Sequence, residues 1–221
     1  LRIRGSVDRV DVLEQDGQQF VRVVDYKSGA KAFRLADIVN GLNLQMFLYL
    51  FNVCADGNNP YAGVPAGVLY MHAARSVMTV ETKRSAEKDI AGQEDKAFGM
   101  NGIVITNPDC DIPAAMEHDL AGKYIPVRLK KSGVGGSLAS LEQLGLLQRK
   151  IEALVADMGN ALQNGQIGQH PVQAKDHDKT CEYCDFASVC AFKKSVTPRT
   201  YDDQTDSAVL AELEKEGESH A

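Results

Sequence analysis

The sequence predicts an α/β domain, on three observations. Two β-type runs joined by a tight-turn signal open the chain, a segment with helical spacing of apolar residues follows, and further strand-like runs precede a second long helix. At 221 residues the chain is long enough for one substantial α/β domain and a small appendage.

RIRGSVDRVDVL (Arg2 to Leu13) reads as the first strand and QFVRVVDYK as the second, joined through EQDGQQ, where Asp16-Gly17 favours a two-residue hairpin loop. With that loop, Gln15 pairs with Gln18. Stepping outward, Val10 then faces Val23 and Val12 faces Val21, while on the other side Leu13 meets Phe20 and Asp11 meets Arg22. The same register sets Asp8 opposite Asp25. Alternation along the strand projects Asp25 and Lys27 together, on the side of Val21 and Val23. By themselves Asp25 and Lys27 make an ordinary strand-end ion pair. Two carboxylates facing each other across a strand pair, with Cβ atoms about 5 Å apart, repel and call for a compensating charge. A divalent cation meets that need, since Mg²⁺ is held by one or two carboxylates and completes its octahedron with water and phosphate oxygens. Lys27 beside it suits a role toward a bound water or a developing negative charge.

RLADIVNGLNLQMFLYLFNVC (Arg34 to Cys54) predicts a helix that aligns Ile38, Leu42, Gln45, Tyr49 and Val53 on one face. Gln45 and Tyr49 interrupt the apolar stripe. In isolation they are rim positions of a buried helix; following directly on the hairpin, they become site candidates.

Residues 66–73, 76–82, 102–106 and 124–129 have strand character, and 85–100 reads as a polar helix or loop. His72, at a strand end, reads as a hydrogen-bonded structural residue. Lys130 to Ser137 (KKSGVGGS) reads as a flexible connector, and no phosphate-loop pattern occurs, so no ATP site is expected. Ser137 is expected to cap a helix running to about Gln163, with Leu138, Leu141, Leu144, Ile151, Leu154 and Leu162 among its core positions. The acidic stretch from Tyr201 reads as a short helix with a solvated end.

KTCEYCDFASVC places Cys181, Cys184 and Cys190 in a C-x2-C-x5-C cluster. Three closely spaced thiols point to a metal or iron–sulfur site more than to disulfides. Structural zinc and a 4Fe–4S cluster both normally take four protein ligands, so the cluster is one thiolate short for either. Cys54, in an apolar helix, and Cys110, in a loop, read as plain residues.

GSVDRVD, VVDYKSG and LQMFLYL together resemble the motifs of the RecB-type PD-(D/E)XK nucleases, in which a G-x-[IV]-D strand, a D-Y-K strand and a Q-x-x-x-Y helix assemble one Mg²⁺-dependent phosphodiesterase site. The resemblance implies a restriction-endonuclease-like fold, a mixed central sheet flanked by helices, with a C-terminal cysteine-rich appendage. It implies that Asp8 and Asp25 bind metal, Mg²⁺ or Mn²⁺, with the main-chain carbonyl of Tyr26 as a further ligand. Lys27 is then the catalytic lysine, and Gln45 and Tyr49 contact the DNA strand or brace the site. Ser6 departs from the pattern, since relatives often carry Arg there. PAGVLYM, GMNGIVITNP and the helix before QIGQHP are similar to AddB-like subunits of bacterial helicase-nucleases, so the resemblance covers most of residues 1 to 195. In that family and in related iron–sulfur RecB-like nucleases the fourth cysteine lies upstream of the nuclease motifs. Cys181, Cys184 and Cys190 are then expected to bind 4Fe–4S in the complete protein, with a zinc site as the alternative. The start at Leu1, without Met and already inside a strand, suggests an excised fragment that holds the cluster poorly or not at all.

The organisation so implied is a nuclease domain over 1–165, an iron–sulfur segment over 166–195 and an acidic tail over 196–221. The expected activity is that of a metal-dependent deoxyribonuclease, an exonuclease, acting in double-strand break repair and recombination with DNA and an AddA-like helicase-nuclease subunit as partners. Two alternatives stand beside it. A stand-alone iron–sulfur exonuclease of the CRISPR-associated type is disfavoured by the middle region, and a catalytically silent DNA-binding scaffold is disfavoured by the intact Asp8, Asp25 and Lys27. No run of about 18 apolar residues and no signal-peptide pattern is present, and the odd number of cysteines, five, favours a reducing cytoplasm. The formal charge of −6 is unusual for a DNA-binding chain, which implies that other parts of a larger protein help deliver the strand.

Overall fold

The computed structural model describes residues 2–29, 32–73, 98–175, 181, 184–190 and 198–219. In chain order the elements are β1 (Arg9–Gln15), β2 (Gln18–Lys27), α1 (Leu35–Val39), α2 (Gln45–Ala55), β3 (Val64–His72), β4 (Met100–Thr106) and α3 (Ile112–Met116). They continue with β5 (Val127–Lys130), β6 (Gly133–Gly136), β7 (Leu138–Ser140), α4 (Leu141–Gln163), β8 (Val172–Ala174), α5 (Ala187–Cys190), β9 (Arg199–Tyr201) and α6 (Asp206–Ser219). The chain divides into two compact units: Ile3–Phe33 with Gln45–Leu144, and Leu1–Arg2 with Arg34–Leu44 and Gly145–Ala221.

The first unit is built on a mixed five-stranded sheet of order β1-β2-β3-β4-β7. β1 and β2 pair antiparallel in the register read from the Asp16-Gly17 turn, with Val10 opposite Val23 and Leu13 opposite Phe20. Asp16 and Gly17 both take positive φ, 52° and 78°, as a turn of that type requires. β3 runs parallel to β2, β4 antiparallel to β3, and β7 parallel to β4. With α2 on one face and the core around Ile112 and Ile125 on the other, the β2 residues from Phe20 to Asp25 are buried, Arg22 only in part. Phe20, Val24, Leu69, Val104, Ile112 and Ile125 form the core of one face. α2 packs on β2 and β3, burying Met46, Phe47, Leu50 and Val53. Glu117, 7% exposed, ties the loop that follows α3, accepting N–H bonds from Lys123 (2.9 Å), Tyr124 (3.0 Å) and Ile125 (3.1 Å).

In the second unit, α1 and α6 pack together, and β8 pairs parallel with β9. The buried Asp37 carboxylate is held by Arg34, by Asn43 Nδ2 at 3.0 Å and by the Tyr201 hydroxyl at 2.5 Å. Burial, and then the Asp37 charge, push the Tyr201 phenol well above its ordinary pKa. The acidic stretch forms the helix expected there: α6 docks Val209, Leu210 and Leu213, and its C-terminal end is mostly exposed.

Three local expectations are corrected. The helix expected over Arg34 to Cys54 is two helices. α1 stops in a Schellman motif, with Gly41 N–H donating to Ile38 O (2.9 Å) and Leu42 N–H to Asp37 O (2.9 Å), Gly41 at φ 88° and Asn43 at φ 55°. Ile38 and Leu42 therefore do not share a helix face with Gln45 and Tyr49. The segment read as a flexible connector is the β5–β6 hairpin. The cap of α4 is Ser140 rather than Ser137: Ser140 Oγ accepts from Gln143 N (3.1 Å) and Gln143 Oε1 from Ser140 N (2.9 Å), a reciprocal capping box, while Leu138–Ser140 is strand. The expectations for 76–82 and for most of 85–100 lie outside the described residues.

Candidate active site

The last three residues of β2 carry the chemistry because burial changes along the strand. Asp25 is 6% exposed and Lys27 is half-buried, while Tyr26 between them points outward. Lys27 Nζ lies 2.5 Å from Asp25 Oδ2, on the face that the sequence assigned to both. The contact is an ion pair without hydrogen-bond geometry, so Oδ2 is buried with no directed hydrogen bond from the described residues. The Lys27 ammonium also sits 5.6 Å from the centroid of the Tyr70 ring, opposite Asp25 in β3. Tyr70 packs tilted against Phe33, and Phe33 against Phe47 of α2, so an aromatic wall backs the pair on this side of the sheet.

Asp8 stands one residue before β1, which starts at Arg9 rather than near Arg2, so the ladder ends at Arg9–Val24, one step short of the Asp8–Asp25 pair that the register predicts. Asp8 Oδ2 accepts the N–H of Tyr26 at 3.0 Å. In an extended strand the N–H and C=O of one residue leave on the same edge, so the Tyr26 carbonyl also faces the side where β1 has ended. Asp8, Asp25 and the Tyr26 carbonyl are thus offered by three adjoining positions at one corner of the sheet.

Tyr49 reaches this corner from α2. An added Cβ on Gly5 would stand 2.3 Å from the Tyr49 hydroxyl and 2.7 Å from its ring, so only glycine admits the tyrosine against the backbone that leads to Asp8. Gln45, one turn earlier, donates from Nε2 to the Tyr49 hydroxyl at 2.8 Å. The glycine–tyrosine contact was not anticipated from sequence. Its signal is the glycine three residues before Asp8, which no turn explains.

The donor set consists of hard oxygens, which suits Mg²⁺ or Mn²⁺ rather than a thiophilic ion. Asp25 Oδ2, buried and held among the described residues by the Lys27 ammonium alone, is the atom such an ion would meet. Among the described residues no three His, Cys, Asp or Glu side chains gather into a metal-holding group. That composition, two carboxylates and a carbonyl, matches an ion that keeps much of its water. A cavity lined by Asp11, Leu13, Phe20, Arg22, Ile112 and Met116 lies on the opposite face of the sheet and is no part of this site.

The cysteines behave as two groups. Burial pushes the Cys54 thiol up to about 11, and burial likewise raises Cys110, whose Sγ donates to Gln15 Oε1 at 3.2 Å. Both are inert packing residues. Cys181 and Cys190 are half-buried and Cys184 is exposed; none of the five is in a disulfide. Cys184 N–H donates to Cys181 O at 3.4 Å, a turn that keeps the first two thiols close in the chain.

A hairpin ending in a buried aspartate and a lysine on one face, an aspartate beside it and a Gln–Tyr helix bracing the corner define a nuclease of the PD-(D/E)XK type. The chain belongs to the PD-(D/E)XK nuclease superfamily, whose pattern matches residues 1–191. It is 32% identical over 229 residues to the B-type subunit of the ATP-dependent helicase/deoxyribonuclease of Bacillus cereus, covering 98% of this chain and 19% of that protein. The protein of the same description from Acetivibrio thermocellus is 31% identical over 231 residues, covering 98% of this chain and 20% of its own length. Its counterpart from Bacillus mycoides is 31% identical over 229 residues, with 98% and 19% covered. The chain thus spans about a fifth of the curated relatives it matches. No described helix is long and apolar enough to cross a membrane.

Proposed function

We propose that this chain is the nuclease domain of the B-type subunit of a helicase/deoxyribonuclease, hydrolysing DNA phosphodiester bonds with Mg²⁺ or Mn²⁺ in double-strand break processing. The observation that supports this reading best is the buried Asp25 carboxylate, paired with Lys27 and flanked by Asp8. Asp8, Asp25 and the Tyr26 carbonyl would hold the ion. A bound divalent cation supplies Lewis-acid polarisation of the phosphate and a more acidic water. Lys27 Nζ stabilises the negative charge that builds on the phosphorus oxygens, and its flexible stem lets it leave Asp25 when the phosphate arrives. Tyr49 and Gln45 keep the Gly5–Asp8 segment in place, which orients the Asp8 carboxylate. In the same reading the protein is cytoplasmic, acts as an exonuclease and works beside a helicase-nuclease partner subunit. Cys181, Cys184 and Cys190 supply three of the four thiolates of a 4Fe–4S cluster in the complete protein.

Calorimetric titration of Mn²⁺ into the wild-type chain and into Asp25→Ala tests the metal site, alongside cleavage of a labelled DNA strand. Binding and cleavage are expected only in the wild type. Equal binding in both proteins would remove the reading.

A further inference from the structure

The chain carries a formal charge of −6, yet residues 120–141 contain Lys123, Arg128, Lys130 and Lys131 and no acidic residue. Folding gathers most of that charge on one element. In the β5–β6 hairpin Arg128 faces Gly135, Leu129 faces Val134 and Lys130 faces Gly133. Side chains alternate along each strand, so Arg128 and Lys130 project from one face with only glycines across from them. That face is cationic and nearly bare backbone. The Lys130 stem lies along Gly135, where an added Cβ would stand 3.4 Å from its Cδ, Cε and Nζ. Lys131 extends the charge into the turn. The ion pairs among the described residues engage none of Arg128, Lys130 and Lys131.

The segment leading into this hairpin starts at the site end of the sheet, while the hairpin itself closes further along β4, where Ser137 N donates to Pro126 O at 2.9 Å and Ser137 O accepts from Val104 N at 3.0 Å. Tyr124 O accepts from Met100 N at 2.9 Å, Met100 pairs with Met71, and Met71 pairs with Tyr26, the residue between Asp25 and Lys27. Three strand spacings put the Tyr124 backbone about 14 Å from that of Tyr26. Tyr124 is 43% exposed with the Lys123 ammonium 5.1 Å from its ring centroid, and Phe98, two residues before β4, is 51% exposed. Exposed aromatic rings beside a cationic surface are what single-stranded nucleic acid uses: stacking for bases, ammonium and guanidinium groups for phosphates.

We infer that the β5–β6 hairpin and the Lys123–Tyr124 segment leading into it hold the sugar-phosphate backbone of a single DNA strand that runs on to the Asp25–Lys27 site. The inference rests on the nuclease reading for the identity of the polymer. It also accounts for how an acidic chain takes up a polyanion, since residues 120–141 carry cations and no acidic side chain. An acidic protein segment would use the same cations, but not the aromatic rings at the site end.

The test is binding of a labelled single-stranded oligonucleotide in EDTA, followed by fluorescence anisotropy across a series of salt concentrations. The variant Arg128→Ala/Lys130→Ala/Lys131→Ala should bind about ten- to a hundredfold more weakly, with the slope of log K against log salt reduced by about 2, the loss of three phosphate contacts on a single strand. The charge-conserving variant Arg128→Lys/Lys130→Arg/Lys131→Arg should bind as the wild type does. All three side chains are exposed, and matching thermal unfolding curves will show that the variants fold. Wild-type affinity and salt slope in the alanine variant would overturn the inference, as would equal loss in the charge-conserving variant. Cleavage with added Mg²⁺ is scored separately: hairpin-dependent binding without any metal-dependent cleavage by the wild type removes the nuclease reading and leaves the strand-binding surface standing.

Discussion

On the proposed reading Lys27 and a divalent cation would answer the same need at Asp25, and that competition is measurable without any substrate. In Lys27→Met the buried carboxylate, 6% exposed, loses the ammonium 2.5 Å from Oδ2 and has no directed hydrogen bond to fall back on. Removing one partner of a fully buried pair costs about 3 to 5 kcal/mol, but the Lys27 side chain is 33% exposed, so screening reduces the expected loss to about 2 kcal/mol. For a chain of this size that is a fall of about 4 to 8 °C in thermal midpoint. Mg²⁺ at about a hundredfold over its dissociation constant stabilises a site by about 2.7 kcal/mol, enough to offset the deficit. Because the cation no longer displaces the lysine, the midpoint gain on adding Mg²⁺ should be larger in Lys27→Met than in the wild type. Asp25→Asn should show no gain. Differential scanning fluorimetry over a Mg²⁺ series reads all three proteins in one experiment. A wild-type midpoint in Lys27→Met without metal, or Mg²⁺ responses identical in all three, would mean that the two cations do not share Oδ2.

Gly5→Ala should push the Tyr49 ring away from the segment leading to Asp8 and lower DNA cleavage at least about tenfold, with little loss of stability because the segment is exposed. In a Tyr49→Ala background the same change should add nothing, and an additive loss would show that the two residues act independently. At Glu117, burial raises the carboxyl pKa but three backbone N–H bonds outweigh it, holding the group below its ordinary 4.5. The folded value is therefore the depressed one, and its stabilisation is complete above about 4.5 and lost as pH falls through the folded value. Glu117→Gln should cost about 2 kcal/mol near neutrality, and the difference should shrink in urea unfolding below pH 4.5; a pH-independent difference would exclude the carboxylate as its source. For the cysteines, iron and sulfide analysis of a longer, anaerobically purified protein should find about four iron atoms, lost in Cys184→Ser. Stoichiometric zinc without iron would make the segment a zinc site.

Much of the site was legible because hairpin register and strand alternation are local rules. Asp16-Gly17 specifies the turn, the turn specifies the register, and the register puts Asp11 against Arg22, where the structure has a 2.7 Å ion pair. Burial raises the Asp11 carboxyl pKa, but the bonds from Arg9 and Arg22 outweigh it and bring the group below its ordinary value. The single helix expected over Arg34 to Cys54 failed for an equally local reason, Gly41, whose left-handed φ of 88° ended the helix while apolar spacing alone ran straight through it. The glycines after Lys131 misled in the opposite direction. Glycine lowers the propensity for a strand, yet here it stands across from Arg128 and Lys130, where the pairing partner supplies the order that composition does not.

The hairpin and its register, the common face of Asp25 and Lys27, and the order of the three motifs follow from residues alone, because each depends on neighbours within a turn or a strand. Folding in three dimensions was needed to bury Asp25 with an oxygen lacking a directed partner, to close Tyr49 on Gly5, to tie the loop at Glu117, and to stand Tyr124 at the site end of the sheet. Three of those features rest on pairings between segments far apart in the chain; the Glu117 tie spans only Lys123 to Ile125, but it is the folded loop that buries the carboxylate. A parallel β2–β3 pair and the crossing of α2 above it are selected by burial of the whole sheet, a property that no short window of residues contains.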